Sequence, residues 1–321
     1  MSIAIMTSGG DCAGMNPAIK WFVDYCFSKN IQPYFIYDGL EGLIDGSIKK
    51  ATHEDVAGIV HLGGTIIRSS RSKRFYEKKY RKQAFENLQR NGIDKIVILG
   101  GDGSFRAMKL FFDEYGINFA GIPSTIDNDI FGTDYCLGVD TALNIIRDAT
   151  DSIRDTSSSF KRAFVIETMG RDCGYLALVS ALTCGAEVCL IPEVPYSLES
   201  LQTKLTKELK EGRRYIICVV AEGLKKTDQI VKWLEDDIGI ETRETVLGHI
   251  QRGGSPTVFD RLMASKFITY AVDKLLNGTD NNNQIVVYKD SKFSFESIQY
   301  VTSSKYKIDE DLLRLAVNMM R

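Results

Sequence analysis

Two short polar segments contain residue types that could bind a phosphate group and a metal ion. The first covers residues 100–104 (GGDGS) and the second residues 123–129 (PSTIDND). Glycine lets backbone N–H groups approach a phosphate closely. The carboxylates of Asp102, Asp127 and Asp129 would repel that phosphate unless a cation stood among them. This combination predicts phosphoryl transfer assisted by Mg²⁺.

Each segment directly follows apolar residues that predict a buried strand. Residues 95–99 (KIVIL) precede the first segment, and residues 117–122 (INFAGI) precede the second. Open α/β sheets bind ligands where their strands end. A third polar turn, residues 7–11 (TSGGD), follows the strand candidate at 3–6 and precedes a predicted helix. Its sequence fits both a phosphate loop at a helix N-terminus and a plain turn that needs glycine.

Arginines suited to a phosphorylated sugar lie in the second half of the chain. Residues 169–171 (MGR) follow a strand candidate at 163–167, and residues 249–252 (HIQR) come later. The arginine fork binds phosphate through two hydrogen bonds, so a sugar phosphate requires several such residues. On the pattern alone, Arg171 also fits a solvated loop charge and His249 a structural histidine.

Residues 68–82 carry eight lysines and arginines, a density that also occurs in nucleic-acid-binding proteins. The rest of the chain balances this charge, and the second half of the segment continues into an amphipathic helical pattern that ends at Leu88. We therefore expect a solvated helix face, preceded by one or two arginines that bind phosphate.

The bulk composition excludes several classes of protein. The 321 residues are 44% hydrophobic and 26% charged, and the formal net charge of −2 argues against bulk attraction to nucleic acid or an anionic membrane. The longest apolar run, residues 215–221, is too short to cross a bilayer. The N-terminus has no basic region or cleavage site, so we expect no secretory signal. Seven cysteines without a Cys-x-x-Cys motif predict reduced thiols and a cytoplasmic location.

Strand candidates alternate with helical patterns along the chain, which predicts parallel sheets covered on both faces. The strand candidates lie at 3–6, 33–37, 95–99, 163–167, 187–191 and 214–221, and the helices near 13–28, 80–91, after 103, 174–183, 198–210 and 229–237. Residues 278–283 predict a turn rather than a linker. We expect two closely packed lobes with a boundary near residues 138–141.

Taken together, these segments resemble the ATP-dependent 6-phosphofructokinase family of the short bacterial type. The resemblance runs from the first strand to about residue 275 with compatible spacing. The residues that carry it are 7–11 with 14–16, 100–104, 123–129, 155–159, 169–171 and 241–256. The most specific parts are TIDND and GHIQRGGSP.

The resemblance implies an α/β fold of two closely packed Rossmann-like lobes, each a mainly parallel sheet covered by helices. Residues 1–138 plus about 255–303 would form a lobe that binds ATP and Mg²⁺. Residues 139–254 plus about 304–321 would form a lobe that binds fructose 6-phosphate.

The resemblance also implies a glycolytic reaction with ATP as co-substrate and Mg²⁺ as cofactor. The γ-phosphoryl group of MgATP would pass to the 1-hydroxyl of D-fructose 6-phosphate, giving fructose 1,6-bisphosphate and ADP. Asp127 matches the general base, Asp102 the residue that holds Mg²⁺, and Asp129 an acid close to the metal.

The same match assigns further site residues. The catalytic residues are Asp127, Thr125, Arg171 and Gly10. The residues that bind ATP are Gly10, Arg71, Ser72, Gly101, Asp102, Gly103 and Ser104. Those that bind the sugar phosphate are Thr125, Asp127, Arg162, Met169, Gly170, Arg171, Glu222, Arg243, His249 and Arg252.

The family is homotetrameric, and the residues at the Arg162 and Arg243 positions reach in from a neighbouring subunit. The resemblance thus implies active sites that are completed across subunits. No nucleic-acid or membrane partner is expected.

The phosphoryl donor depends on two small residues. Relatives that use pyrophosphate carry Asp after the Gly-Gly-Asp triplet and Lys just before the Thr of the second motif, where this chain has Gly103 and Ser124. An Asp at 103 would stand where the α-phosphate of ATP must pass, so ATP is favoured. Ser124 replaces the usual glycine, and Ala107 adds a methyl group near the nucleotide. A pyrophosphate-dependent enzyme and a non-catalytic nucleotide-binding regulatory subunit remain as alternatives.

The family also has an effector site between subunits, where basic residues bind ADP or phosphoenolpyruvate. The basic candidates here are Lys20, Arg154, Arg213 and Arg214. The positions of Asp24, His53 and Glu211 are usually basic in the family. Two acids where phosphates should bind would lower affinity by like-charge repulsion, so we expect effector control to be weakened or altered.

Overall fold

The computed structural model describes residues 1–277 and 283–320, so the turn expected at 278–283 lies, except for Asn283, outside the described residues. The strands are β1 (Ser2–Thr7), β2 (Gln32–Ile36), β3 (Ile48–Lys50), β4 (Lys95–Gly100), β5 (Asn118–Pro123), β6 (Ala163–Thr168), β7 (Val188–Leu190), β8 (Ile216–Ala221), β9 (Thr242–Val246), β10 (Gln284–Lys289) and β11 (Lys292–Ser297).

The helices are α1 (Met15–Ser28), α2 (Gly39–Asp45), α3 (Lys78–Arg90), α4 (Asp102–Tyr115), α5 (Val139–Phe160), α6 (Tyr175–Cys184), α7 (Leu198–Lys210), α8 (Thr227–Trp233), α9 (Val258–Asn277), α10 (Ile298–Val301), α11 (Glu310–Leu315) and α12 (Val317–Met320). None of those in the described ranges is long and apolar enough to cross a membrane.

The chain divides into two compact units. Unit 1 contains Met1–Ile126, Ile130–Thr141 and Arg252–Tyr306, and unit 2 contains Asp127–Asp129, Ala142–Gln251 and the chain from Lys307 on. The limits expected from the sequence each differ from these by three residues (141 against 138, 251 against 254, and 306 against 303). Asp127–Asp129 belongs to unit 2 although the residues on both sides of it belong to unit 1, and nothing in the sequence predicts this assignment.

Unit 1 is built on a mainly parallel sheet with the strand order β11-β10-β5-β4-β1-β2-β3. Strand β1 pairs in parallel with both β2 and β4, and β4 pairs in parallel with β5. The edge strands β3 and β11 are antiparallel to their neighbours. Residues 3–6 and 96–99 are fully buried, because helices cover both faces of a parallel sheet.

Unit 2 holds a four-stranded, entirely parallel sheet with the order β7-β8-β6-β9. Its core combines side chains of the central strands, such as Val165 and Val220, with helix side chains such as Leu201 of α7. The C-terminal helices α11 and α12 pack on α6 and β7. The expected α/β class with helix-covered, mainly parallel sheets is confirmed in both units.

Several element boundaries differ from the sequence expectations. The strand expected from residue 214 begins at Ile216, because Arg214 and Tyr215 precede the first ladder pair with β6. The helix expected at 229–237 is an α-helix only to Trp233 and continues as a π-helical turn over Leu234–Ile238. Helix α4 begins at Asp102, before Gly103.

Candidate active site

In unit 1, the turn after β1 is a loop whose backbone conformation requires glycine. Gly9 has a φ of 93°, and its N–H donates to the Ser70 carbonyl at 3.2 Å. A Cβ added to Gly10 would lie 2.6 Å from Arg252 Nη1, and the same guanidinium donates to the Asp11 carbonyl at 3.1 Å. Because Gly10 has no side chain, the Arg252 guanidinium fits against this loop. The structure therefore brings these two predicted site residues together.

The loop after β4 faces open space at two positions. A Cβ added to Gly101 or Gly103 would meet no atom within 4 Å. Both glycines lie at the start of α4, where free backbone N–H groups suit an anion. Ser104 Oγ lies 2.9 Å from the Ser8 hydroxyl oxygen, which links this loop to the loop after β1.

The two other predicted nucleotide residues of unit 1 differ in environment. Arg71 is exposed. Ser72 is buried, and its Oγ accepts a hydrogen bond from Phe75 N at 3.1 Å, within the short 3₁₀ turn Arg74–Tyr76. The structure therefore gives the Ser72 hydroxyl a role in the local fold.

Carboxylates neutralise part of the basic segment 68–82. Arg81 forms a fork with Glu114 at 2.6 and 2.8 Å, and Arg74 is paired with Glu41. Arg68 and Lys79 also have acidic partners, Asp38 and Glu77. These pairs reduce the field that a nucleic acid would meet.

A metal site at Asp102 would have to use ligands from the substrate. Within residues 1–277 and 283–320, no group of three or more Cys, His, Asp or Glu side chains could hold a metal ion. Asp102 is 45% exposed at the first turn of α4, where Arg106 Nε lies 2.9 Å from its Oδ2. Mg²⁺ commonly takes one or two carboxylates together with waters and phosphate oxygens. The residues present fit a magnesium ion that arrives with a nucleotide.

The segment after β5 carries Asp127 in a buried position. Ser124 N donates to the Gly100 carbonyl at 2.9 Å, which joins the ends of β4 and β5. Asp127 has no exposed surface, whereas Thr125 and Asp129 are partly exposed. Asn128, between the two aspartates, has a φ of 50°, a conformation that asparagine tolerates better than most residues.

In unit 2, Asp127 is paired with the loop after β6. Arg171 Nε lies 3.2 Å from Asp127 Oδ2. Arg171 itself has a φ of 53° and Gly170 a φ of 137°. The Glu222 carboxylate supports this turn, because its Oε1 accepts hydrogen bonds from Arg171 N at 2.9 Å and Gly170 N at 3.2 Å. A Cβ on Gly223 would lie 1.9 Å from the Arg171 carbonyl oxygen, so the backbones of these two residues can approach this closely only because residue 223 is glycine.

Gln251 is a site residue to which the sequence assigns no role. It is buried, and its Oε1 accepts a hydrogen bond from Met169 N at 3.1 Å. Its amide nitrogen donates to the Gly248 carbonyl at 2.9 Å. These bonds tie the loop after β6 to the 3₁₀ segment Gly248–Arg252, which carries the exposed His249. The sequence position within HIQR is the one signal that could have pointed to it.

Arg162 and Arg243 lie at the opposite end of the unit 2 sheet from the loop with Arg171. Arg162 Nε and Arg243 Nη2 both contact Glu241, at 2.7 and 2.5 Å. The register pairs Ala163 with Thr242 at the amino ends of β6 and β9, while residues 169–171 follow the carboxyl end of β6. A strand rises about 3.3 Å per residue, so the seven-residue step from 162 to 169 spans roughly 20 Å. Within one chain, the structure does not bring these two arginines to the other predicted sugar residues of unit 2.

Three of the four predicted effector residues, Lys20, Arg154 and Arg213, already have internal partners. In unit 1, Lys20 is paired with Asp24, which also contacts His53 Nδ1 at 3.1 Å. In unit 2, Arg213 contacts Glu187 at 2.5 Å and Glu208 at 2.8 Å. Arg154 donates to the Cys184 carbonyl and lies against the Tyr215 ring.

Two of these arginines share a cavity with acids. A surface cavity of about 640 Å³ is lined by Ser158, Glu208, Glu211, Gly212, Arg213, Arg214 and Tyr215. Two arginines face two glutamates there, so the lining carries little net positive charge for a phosphate.

Comparison with known proteins gives a consistent result. Residues 2–275 match the family described as Phosphofructokinase. A protein of Sulfurovum sp. named ATP-dependent 6-phosphofructokinase is 61% identical over 98% of this chain and 96% of its own length. The phosphofructokinase structure from Saccharomyces cerevisiae is similar with a TM-score of 0.89 at 33% identity, over 94% of this chain and 45% of the yeast chain. A pyrophosphate-dependent phosphofructokinase from Nitrosospira multiformis has a TM-score of 0.85 at 19% identity, over 100% of this chain and 92% of that chain, a likeness of fold alone.

Proposed function

The chain belongs to the phosphofructokinase family, and from this premise we propose that it transfers the γ-phosphoryl group of MgATP to the 1-hydroxyl of D-fructose 6-phosphate. The products are fructose 1,6-bisphosphate and ADP, as in glycolysis. The observation that carries the proposal is the buried Asp127 carboxylate beside the Arg171 guanidinium, at 3.2 Å. A base and a cation side by side suit transfer of a phosphoryl group to a hydroxyl.

Asp127 acts as the general base. It accepts the proton of the attacking 1-hydroxyl as the new P–O bond forms. Arg171, held by Glu222 through its backbone, faces the charge that develops on the transferred group. Thr125, two residues before Asp127, places its hydroxyl next to the reacting phosphate.

Unit 1 supplies the nucleotide residues. The N–H groups around Gly10, Gly101 and Gly103 receive phosphate oxygens, and Arg71 adds a positive charge. The open space at Gly103 supports ATP as the donor, because no side chain occupies the path of the α-phosphate. Ser72 and Ser104 shape the loops on either side.

Asp102 and Asp129 would hold Mg²⁺ together with phosphate oxygens of the nucleotide. The ion, when bound, neutralises charge on the β- and γ-phosphates. The half-exposed Asp102 carboxylate at the start of α4 is the residue best suited to this task.

The sugar phosphate is bound by Met169, Gly170, Glu222, His249 and Arg252, together with Arg162 and Arg243 of a neighbouring subunit. The support for a shared site is the placement of the last two arginines at the far end of the unit 2 sheet from Arg171. A homotetramer in which each subunit lends these arginines to another would meet the requirement. The seven free cysteines support a reducing compartment, and we propose the cytoplasm.

Effector control is weakened in this enzyme. The candidate cations Lys20 and Arg213 are neutralised by Asp24 and by Glu187 and Glu208. A fructose 6-phosphate titration should therefore be close to hyperbolic. A strongly sigmoidal dependence of the rate on fructose 6-phosphate in the presence of phosphoenolpyruvate, which ADP makes hyperbolic again, would contradict this proposal.

A coupled assay with each phosphoryl donor in turn tests the function. We expect turnover of fructose 6-phosphate with MgATP, none above background with magnesium pyrophosphate, and loss of the ATP activity when EDTA removes the metal. Faster turnover with pyrophosphate would favour the pyrophosphate-dependent alternative. Nucleotide binding without turnover on either donor would favour a regulatory subunit.

A further inference from the structure

The segment 65–72 of unit 1 runs alongside the phosphate loop 7–11. Four hydrogen bonds join them: Thr7 Oγ1 to the Arg68 carbonyl at 2.7 Å, the Thr7 and Thr65 hydroxyls at 3.2 Å, Gly9 N to the Ser70 carbonyl at 3.2 Å, and Ser69 Oγ to the Gly9 carbonyl at 3.0 Å. Ser70 is followed directly by Arg71. The position of Arg71 relative to the phosphate loop therefore depends on the backbone geometry at 68–70.

That geometry contains an unfavourable conformation. Arg68 has a φ of 57°, in the left-handed region that favours glycine, and Asp38 has a φ of 55°. Two non-glycine residues in this region face each other. Each raises the free energy of the folded chain unless neighbouring interactions offset it.

A bidentate ion pair supplies such an interaction. Arg68 Nε contacts Asp38 Oδ1 and Arg68 Nη2 contacts Asp38 Oδ2, both at 2.6 Å. The hydrogen bond to Asp38 raises the pKa of Arg68 above its ordinary value. The backbone adds two more links, from Asp38 N to the Ile67 carbonyl at 2.9 Å and from Ser70 Oγ to the Asp38 carbonyl at 2.5 Å.

We propose that Asp38 and Arg68 are positioning residues, which hold segment 65–72 against the phosphate loop and so present Arg71 to the transferred phosphoryl group. This inference rests on the proposed kinase function. Without the fork, Arg68 can relax toward a negative φ. Ser69 and Ser70 then lose their hydrogen bonds with Gly9, and Arg71, which directly follows Ser70, is displaced as well.

Most exposed ion pairs contribute little, and unit 1 offers one for comparison. Lys49 Nζ contacts Asp55 Oδ1 at 2.7 Å, but neither residue has a positive φ and neither contacts the phosphate loop. Asp55→Asn therefore removes a similar pair without affecting Arg71. It is the matched control for Asp38→Asn.

The first test is a double-mutant cycle with Arg71. We expect Asp38→Asn to lower kcat about tenfold with little change in the KM for ATP, since a misplaced group costs mainly in the transition state. Asp55→Asn should leave kcat unchanged. In an Arg71→Ala background, Asp38→Asn should change kcat by less than about twofold. Equal losses in both backgrounds, or no loss in either, would overturn the proposal.

A second pair of variants separates positioning from general destabilisation. Arg68→Gly removes the fork but adopts the left-handed conformation freely, whereas Arg68→Ala removes the fork and keeps the steric cost. We expect Arg68→Gly to retain most of kcat and Arg68→Ala to lose about tenfold. Thermal unfolding and calorimetric ATP binding establish that each variant is folded. Equal losses would refute the positioning role, while an inactive unmodified enzyme would refute the kinase function instead.

Discussion

Arg171 Nε lies 3.2 Å from Asp127 Oδ2, and the backbone of Arg171 is itself fixed by two hydrogen bonds to Glu222. Arg171 adopts a φ of 53°, which few residues other than glycine adopt without support. The guanidinium beside the Asp127 carboxylate thus belongs to a residue whose backbone is held in place by a third residue, Glu222. This relationship joins the ends of β6 and β8 to Asp127 within unit 2.

The support from Glu222 is testable by comparing two substitutions. Glu222→Gln keeps an oxygen that can accept from Gly170 N and Arg171 N, whereas Glu222→Ala leaves both donors without it. Losing such partners costs about 1–3 kcal/mol, so kcat/KM for fructose 6-phosphate should fall roughly 10- to 100-fold in Glu222→Ala. Glu222→Gln should fall much less. Equal losses would mean that the charge, and not the support of the loop, is what matters.

The open space at Gly103 predicts a donor-specific effect. Gly103→Ala should fold normally and use ATP, because a Cβ there meets no atom within 4 Å and alanine favours a helix. Gly103→Asp should fold as well but raise the KM for ATP at least tenfold, since a carboxylate would repel the nucleotide phosphates. Steady-state kinetics with both donors make the comparison. An unchanged KM for ATP in Gly103→Asp would contradict the account.

The strands that the sequence predicts are the buried ones. Strands β1, β4, β6 and β8 are continuous apolar runs because helices cover them on both faces. The edge strands β3 and β9 have the polar sequences IKK and TRETV, since one side of an edge meets solvent. Without an apolar run or a clear alternation, such a strand has no signal that a single sequence can give.

The candidate site, like the strands, is only partly predictable from the sequence. Glycines and acids clustered after strands are visible in the sequence, because the chemistry fixes their types and spacing. The supporting contacts are not, since Gln251 meets Met169 across 82 residues and Arg68 meets Asp38 across 30. Such partners depend on how distant segments fold together, which no local pattern records.

Complementation tests whether active sites are shared between subunits. Asp127→Asn and Arg162→Ser should each be nearly inactive alone. Mixed oligomers, formed by dissociating and reassociating the two variants, should recover activity if, as proposed, an Asp127 from one subunit meets an Arg162 from another. Mixtures of Asp127→Asn with Arg171→Ala serve as the control and should stay inactive, since Asp127 and Arg171 contact each other within one chain and so serve the same site. No recovery in the first mixture would contradict shared sites.

The thiols should be unreactive in the folded protein. Burial raises the pKa of Cys12, Cys26 and Cys189 to about 12, so little thiolate forms between pH 7 and pH 9. A chromogenic disulfide reagent should detect all seven cysteines in guanidinium chloride and react slowly with the native enzyme. Fast native reaction of several thiols at pH 8, or fewer than seven thiols after unfolding without reductant, would contradict this.

The turnover number of Asp127→Asn is the most direct test of the account. The substitution keeps the size of the side chain and removes its ability to accept a proton. We expect kcat with MgATP and fructose 6-phosphate to fall about 10²- to 10⁴-fold, while calorimetric affinities for both substrates change less than about threefold. Asp172→Asn, at an exposed position beside Arg171, is the matched control and should retain full turnover. A kcat for Asp127→Asn within about threefold of the unmodified enzyme would contradict Asp127 as the general base.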